Sequence, residues 1–165
     1  MRSPAVVKAP TPRSGATARP GGGRVLVSSV SSDSHTWNLV FLQLLIEELG
    51  YEVANLGSCV PDELLVSECH RLRPDLVVIS SVNGHGHLDG SRLIRRLRAE
   101  PGLESIRIVI GGKLGTQGAV AGTYGPELLE AGFDAVFEDT AGPAEFRRYL
   151  GAHPARPKHR SLVAS

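Results

Sequence analysis

The segment Asp75-Leu76-Val77-Val78-Ile79-Ser80-Ser81 sets four large apolar residues side by side. Successive side chains of a strand point to opposite faces, so a run without alternation needs both faces buried. That is the pattern of a central strand in a parallel sheet with helices on either side. Val25 to Val30, Tyr51 to Leu56, Ile106 to Ile110 and Asp134 to Phe137 read as four further strands. Helical stretches fall between them: Leu39 to Leu49, stopped by Gly50; Pro61 to about Leu72, with Asp62 and Glu63 in its first turn; Leu93 to Arg98, led in by Gly90 and Ser91 and stopped near Pro101-Gly102; Pro126 to Ala131; and, after the last strand, Pro143 to Leu150.

Five strands joined by crossover helices predict an α/β protein with a flavodoxin-like (Rossmann-like), doubly wound, five-stranded parallel sheet, because such connections are almost always right-handed. At 165 residues one domain is expected, over residues 24–150. Residues 1–23 are rich in Pro, Ala, Ser, Thr and Gly, carry only basic charges and end in Gly21-Gly22-Gly23. Such a segment buries too little apolar surface to offset its ordering entropy, so a disordered leader is expected, and residues 151–165 read as a flexible basic tail.

Eighteen basic and seventeen acidic residues leave a formal charge of +1, which gives no pull toward nucleic acid or an anionic membrane. No apolar run approaches the roughly twenty residues that span a bilayer, and the first segment lacks the apolar core of a secretory signal. Cys59 and Cys69 form neither a disulfide framework nor a zinc-type pair and read as small buried residues. A cytoplasmic protein is expected.

The chemistry concentrates in Asp33-Ser34-His35-Thr36-Trp37-Asn38, between the first strand and the first helix. Open α/β sheets bind ligands at this carboxyl end of their strands. A carboxylate two residues before an imidazole can accept a hydrogen bond from one ring nitrogen and leave the other to coordinate a metal in a fixed orientation. Gly84 and Gly86 follow the third strand, and Gly111 and Gly112 the fourth. Each can serve a turn, but two clusters after neighbouring strands imply backbone passing close to something flat or long. Gly84-His85-Gly86-His87-Leu88-Asp89-Gly90 is not a dinucleotide fingerprint, since it follows the wrong strand with the wrong spacing. A zinc site built from His85 and His87 with His35 and Asp33 is an alternative. The arginines on the third helix read as a solvated face.

Asp33-x-His35, then Ser80-Ser81-Val82 with Asn83-Gly84-His85-Gly86, then Ile110-Gly111-Gly112, resemble in order the Asp-x-His-x-x-Gly, Ser-x-Leu and Gly-Gly segments of cobalamin-binding domains, from about Arg24 to about Leu150. The likeness is greatest to the small subunit of glutamate mutase (methylaspartate mutase), a bare cobalamin domain with no fused barrel. The resemblance implies adenosylcobalamin as cofactor and His35 as the lower ligand of cobalt, with Asp33 orienting it. It further implies contacts from Ser32, Ser34, Thr36, Asn38, Ser80 (or Ser81), Val82, Gly84, Gly86, Gly111, Gly112 and Thr140, the small residues leaving a slot for the cofactor's nucleotide tail. No catalytic residue is expected on this chain. A large barrel subunit would hold the amino-acid substrate in a hetero-oligomer, a heterotetramer by the family's pattern, interconverting glutamate and 3-methylaspartate.

The sequence departs from the pattern at Asn38, which stands where the family has glycine and is expected in a left-handed turn. Val82 replaces leucine, and the family's late Gly-Thr pair falls on Thr140-Ala141, with Gly142 just beyond. A corrinoid carrier for methyl transfer or sensing, and a degenerate domain serving only as an interaction module, are the alternative functions.

Overall fold

The structure is a computed structural model, and it describes residues 5–7, 23–116, 124–139 and 141–153. Six strands and five helices follow in the order β1 (Val6–Val7), β2 (Arg24–Ser29), α1 (Trp37–Glu48), β3 (Glu52–Asn55), α2 (Asp62–Leu72), β4 (Leu76–Ser81), α3 (Gly86–Ala99), β5 (Arg107–Gly112), α4 (Tyr124–Ala131), β6 (Ala135–Glu138) and α5 (Gly142–Ala152). The strands form one sheet in the order β1-β6-β5-β4-β2-β3. The five from β2 to β6 are all parallel, as expected.

Every residue of β4 is buried, and the reason is visible in which core each side chain joins. Val77 and Ile79 pack with Leu65, Leu93, Ile94 and Leu128 beneath α2, α3 and α4. Leu76 and Val78 pack with Leu39, Ile46, Phe146 and Leu150 beneath α1 and α5. Burying each such side chain contributes about 1.5–3 kcal/mol over leaving it in water, so the unbroken apolar run stabilises both layers at once.

Three expectations are corrected. The stretch 1–23 is not wholly irregular, because Val6–Val7 pairs antiparallel with β6, Val6 opposite Val136 and Val7 opposite Ala135. The Ala5 N–H is held by Glu145 Oε2 on α5 at 2.6 Å. Helix α3 begins at Gly86 rather than after Gly90, since both glycines sit against the sheet where a side chain would collide: a Cβ on Gly90 would meet Ile110 Cδ1 at 2.6 Å. Cys59 is exposed, for its backbone is left-handed (φ 51°) and only its N–H points inward, to the Asp33 carbonyl at 2.8 Å. Cys69 is buried as expected, and burial pushes its thiol up to about 12. Helix α5 runs to Ala152, just past the expected boundary at 150.

Strand β2 lies between β3 and β4, so the chain leaves β2 toward one edge of the sheet and leaves β4 toward the other. The loops after these two strands part company there, opening the crevice in which sheets of this type hold ligands. Both loops carry the residues singled out above.

Candidate cofactor site

Asp33 has no solvent-accessible surface. Its Oδ1 accepts the His35 backbone N–H (3.0 Å) and the His35 ring Nδ1–H (2.7 Å). Its Oδ2 accepts the backbone N–H groups of Val82 (2.6 Å) and Asn83 (3.2 Å), from the loop after β4. One carboxylate thus bridges both loops across the crevice. Burial acts to raise its pKa, but the N–H donors of Val82, His35 and Asn83 outweigh burial and hold the group below the ordinary carboxylate range.

An ionised carboxylate only accepts, so the proton of the neutral His35 ring resides on Nδ1 and the lone pair on Nε2. The His35 side chain is 58% exposed, which turns this lone pair outward from a ring whose orientation is fixed. Ser34, His35 and Thr36 all stand exposed at the rim. The loop is tied down by groups the sequence did not advertise. Asn83 Nδ2 donates to the Ser32 carbonyl and hydroxyl, Ser32 also bonds Asp89, and Arg92 joins Asp89 to Ser31 and Asp62. Arg92 and Arg95 stand exposed on α3, Arg92 and Arg96 form surface ion pairs with α2, and the half-buried Arg98 pairs with Asp134.

Beside this rim runs a groove of about 240 Å³ between α1 and α5. Phe41, Leu42 and Leu45 form one wall, Pro143 and Phe146 the other, and Val78, Ser80, Val109, Gly111 and Gly112 line the sheet side. Ser80, not Ser81, faces it, and Val82 lies at its end. Asn38 also lines the groove, donating from Nδ2 to Ser80 Oγ at 2.6 Å. The expected left-handed turn at Asn38 is absent, because α1 starts at Trp37 and takes Asn38 into its first turn. Gly84 and Gly86 do not line the groove. Gly84 turns with φ 85° against Gly115 and Thr116, and Gly86 starts α3 against Leu114 and Ser81. Thr140 lies outside the described residues.

Gly112 is where a side chain is least tolerable. Its φ is 101°, and a Cβ there would lie 2.1 Å from the Ser81 carbonyl oxygen. Gly112→Ala is expected to destabilise the domain by about 2–4 kcal/mol, because the β4–β5 ladder has to part beside the groove. Urea unfolding of the two proteins side by side measures this.

The zinc alternative does not survive. Among the described residues no group of three or more His, Cys, Asp or Glu side chains could hold a metal ion. His87 instead meets Glu127 Oε2 at 2.5 Å and packs on Tyr124, while His85 stands exposed just before α3. What is assembled is a single outward imidazole on a buried carboxylate, beside an apolar groove with a few polar atoms at one end. A cobalt corrinoid fits this donor set: one nitrogen for the metal, and a slot for a flat tail next to it. Among the described residues no second protein ligand stands beside it.

Comparison with known proteins agrees. Residues 23–145 match the B12 binding domain family. The glutamate mutase sigma subunit of Fusobacterium nucleatum is 28% identical over 115 residues, covering 70% of this chain and 84% of that one. That of Treponema denticola is 30% identical over 91 residues (55% and 65%), and that of Clostridium cochlearium 25% over 123 (72% and 86%). Among solved structures, a cobalamin-binding protein from Desulfitobacterium hafniense aligns with a TM-score of 0.61 at 21% identity over 79% of this chain. The monomethylamine corrinoid protein of Methanosarcina barkeri aligns at 0.63, also with 21% identity over 79%. This chain spans only 58% and 57% of those two, and at such identity they show the fold alone, which receiver domains share. The matched family and the sigma-subunit relatives together identify the chain as a member of the B12 binding domain family, similar to the small subunits of glutamate mutase.

Proposed function

We propose that this chain is the cobalamin-carrying subunit of an adenosylcobalamin-dependent mutase that interconverts glutamate and 3-methylaspartate with a separate barrel subunit. The observation that carries this reading is the His35 ring, fixed through Nδ1 on buried Asp33 and open at Nε2. The relatives of similar length, named as sigma subunits, support the choice of enzyme.

In this reading His35 Nε2 would ligate the cobalt, while Asp33 fixes the ring and keeps the proton on Nδ1. Ser80, Val82, Gly111 and Gly112 border the slot for the nucleotide tail. Ser32, Ser34 and Thr36 complete the rim. When bound, the cofactor supplies the homolysis of its own cobalt–carbon bond. The protein's work is to bind, orient and present it, and no residue here acts on the amino acid.

A protein partner has a surface to meet. Trp37, Val40, Phe41 and Leu44 lie one helical face apart on α1, and all are exposed, Trp37 to 85%. This stripe starts two residues beyond His35, so a subunit covering the cofactor would reach it.

The test is titration of the purified chain with adenosylcobalamin and with cob(II)alamin, followed by absorption and EPR. The expected result is tight binding with a protein nitrogen on cobalt, and no turnover of glutamate until a barrel subunit is added. Turnover by the chain alone, or no cobalamin binding, would overturn the reading. Turnover of a methyl-transfer substrate instead would support the carrier alternative.

A further inference from the structure

The groove is closed at its polar end by the chain itself. Asn38 reaches from the first turn of α1 to β4, and its amide occupies the Ser80 hydroxyl at 2.6 Å. Ser80 is itself only 5% exposed, so this hydroxyl is accessible to a ligand chiefly from the groove side. The other end of the amide, Oδ1, is buried and has no hydrogen-bond partner among the described residues. Rotating the amide by 180° would exchange the roles of its two ends and still leave one of them unpartnered. The Nδ2 bond has to break before a ligand can take the Ser80 hydroxyl, and with Oδ1 unpartnered this single bond is what holds the amide in place.

From this we infer that Asn38 is a displaceable gate and the specificity-determining residue of the groove. A ligand tail entering between α1 and α5 has to swing the Asn38 amide away and take over the Ser80 hydroxyl. The inference rests on the reading of this groove as the slot for the tail of a cobamide. It goes beyond that reading by assigning to Asn38 an energetic barrier to entry. Its consequence is that Asn38 slows entry and weakens binding, while the bond from His35 to cobalt is left unchanged.

Trp37, the single tryptophan, lies directly before Asn38 and is exposed, so quenching of its fluorescence reports cobalamin binding. Wild type, Asn38→Gly and Asn38→Ala are compared by equilibrium titration and stopped flow with hydroxocobalamin. EPR of the cob(II)alamin complexes is recorded alongside. Both variants are expected to bind about ten-fold more tightly, chiefly through faster entry, which is the worth of one hydrogen bond and the bulk that holds it. The EPR signature of the His35 nitrogen is expected unchanged. Alanine keeps the helix intact, so agreement between the two variants separates gate removal from a loosened α1. Tight binding by the variants where wild type binds only weakly would also support the gate. Unchanged or weaker binding in both variants, with wild type competent, overturns the gate and leaves the proposed function standing. Failure of all three proteins to bind overturns both.

Discussion

His35→Ala is expected to fold normally and to lose its hold on cobalamin by about a hundred-fold, with the nitrogen splitting of the protein imidazole gone from the cob(II)alamin EPR spectrum. The expectation of normal folding rests on exposure: the ring is 58% in solvent, and its one bonded partner is a carboxylate that keeps three further N–H donors when the ring is removed. Exposed side chains of this kind change stability by about half a kcal/mol or less. The binding loss is large because Nε2 is the one outward nitrogen held in place at this rim. Losses of ten- to a hundred-fold are typical when only the group behind a metal ligand is removed, so removing the ligand itself sets the larger figure as a lower guide. Free imidazole added at millimolar concentration is expected to restore part of the spectrum. Unchanged affinity, or a nitrogen signature that persists, would take His35 out of its role.

Asp33→Ala is expected to do the reverse damage, unfolding the domain more readily as well as freeing the ring. The carboxylate answers four N–H groups from two loops, and its loss leaves the backbone donors of Val82 and Asn83 facing an empty buried space. About 3–4 kcal/mol of stability should go with it, measurable in urea. Asp33→Asn is a gentler variant, since its carbonyl oxygen still accepts but its amide nitrogen opposes N–H donors.

Acid provides an independent check on the same group. The folded-state pKa of Asp33 lies below the ordinary value of 3.8, so the stabilisation is fully present above that value and is lost as pH falls through the folded one. Between pH 4 and 2 the wild type should therefore lose stability more steeply than Asp33→Asn, while above pH 5 the difference between them should be flat. Parallel curves through the acid range would show that the carboxylate is not stabilised by the loops it bridges.

Much of this was legible in the sequence because the contacts that matter are local. Asp33 and His35 are two residues apart, and an unbroken apolar run at Leu76 to Ile79 leaves little choice but a strand covered on both faces. The donors from Val82 and Asn83 were not legible in the same way, since they lie about fifty residues on and meet Asp33 only because β2 and β4 are neighbours. The glycines misled for a physical reason. A missing Cβ can make room for a ligand or for the protein's own chain, and sequence does not distinguish the two: Gly84 makes room for Gly115 and Thr116, Gly86 for Leu114 and Ser81, and even Gly111 and Gly112, which line the groove, have their missing Cβ positions against Phe137 and the Ser81 carbonyl. Asn38 tolerates a left-handed backbone, but the first turn of α1 takes it instead. The pairing of Val6–Val7 was hidden by a composition that, averaged over 23 residues, outweighs two valines.

That short strand has a consequence for how the molecule can associate. With Val6–Val7 laid along β6 and Ala5 fastened to α5, one border of the sheet is the two-residue strand β1. The opposite border is β3, four residues long, beginning at Glu52 in an ion pair with Arg24. Short charged margins discourage a neighbour from continuing the sheet. Edge-to-edge pairing is thereby disfavoured at both borders, while the apolar side chains of α1 stand exposed on the helical flank.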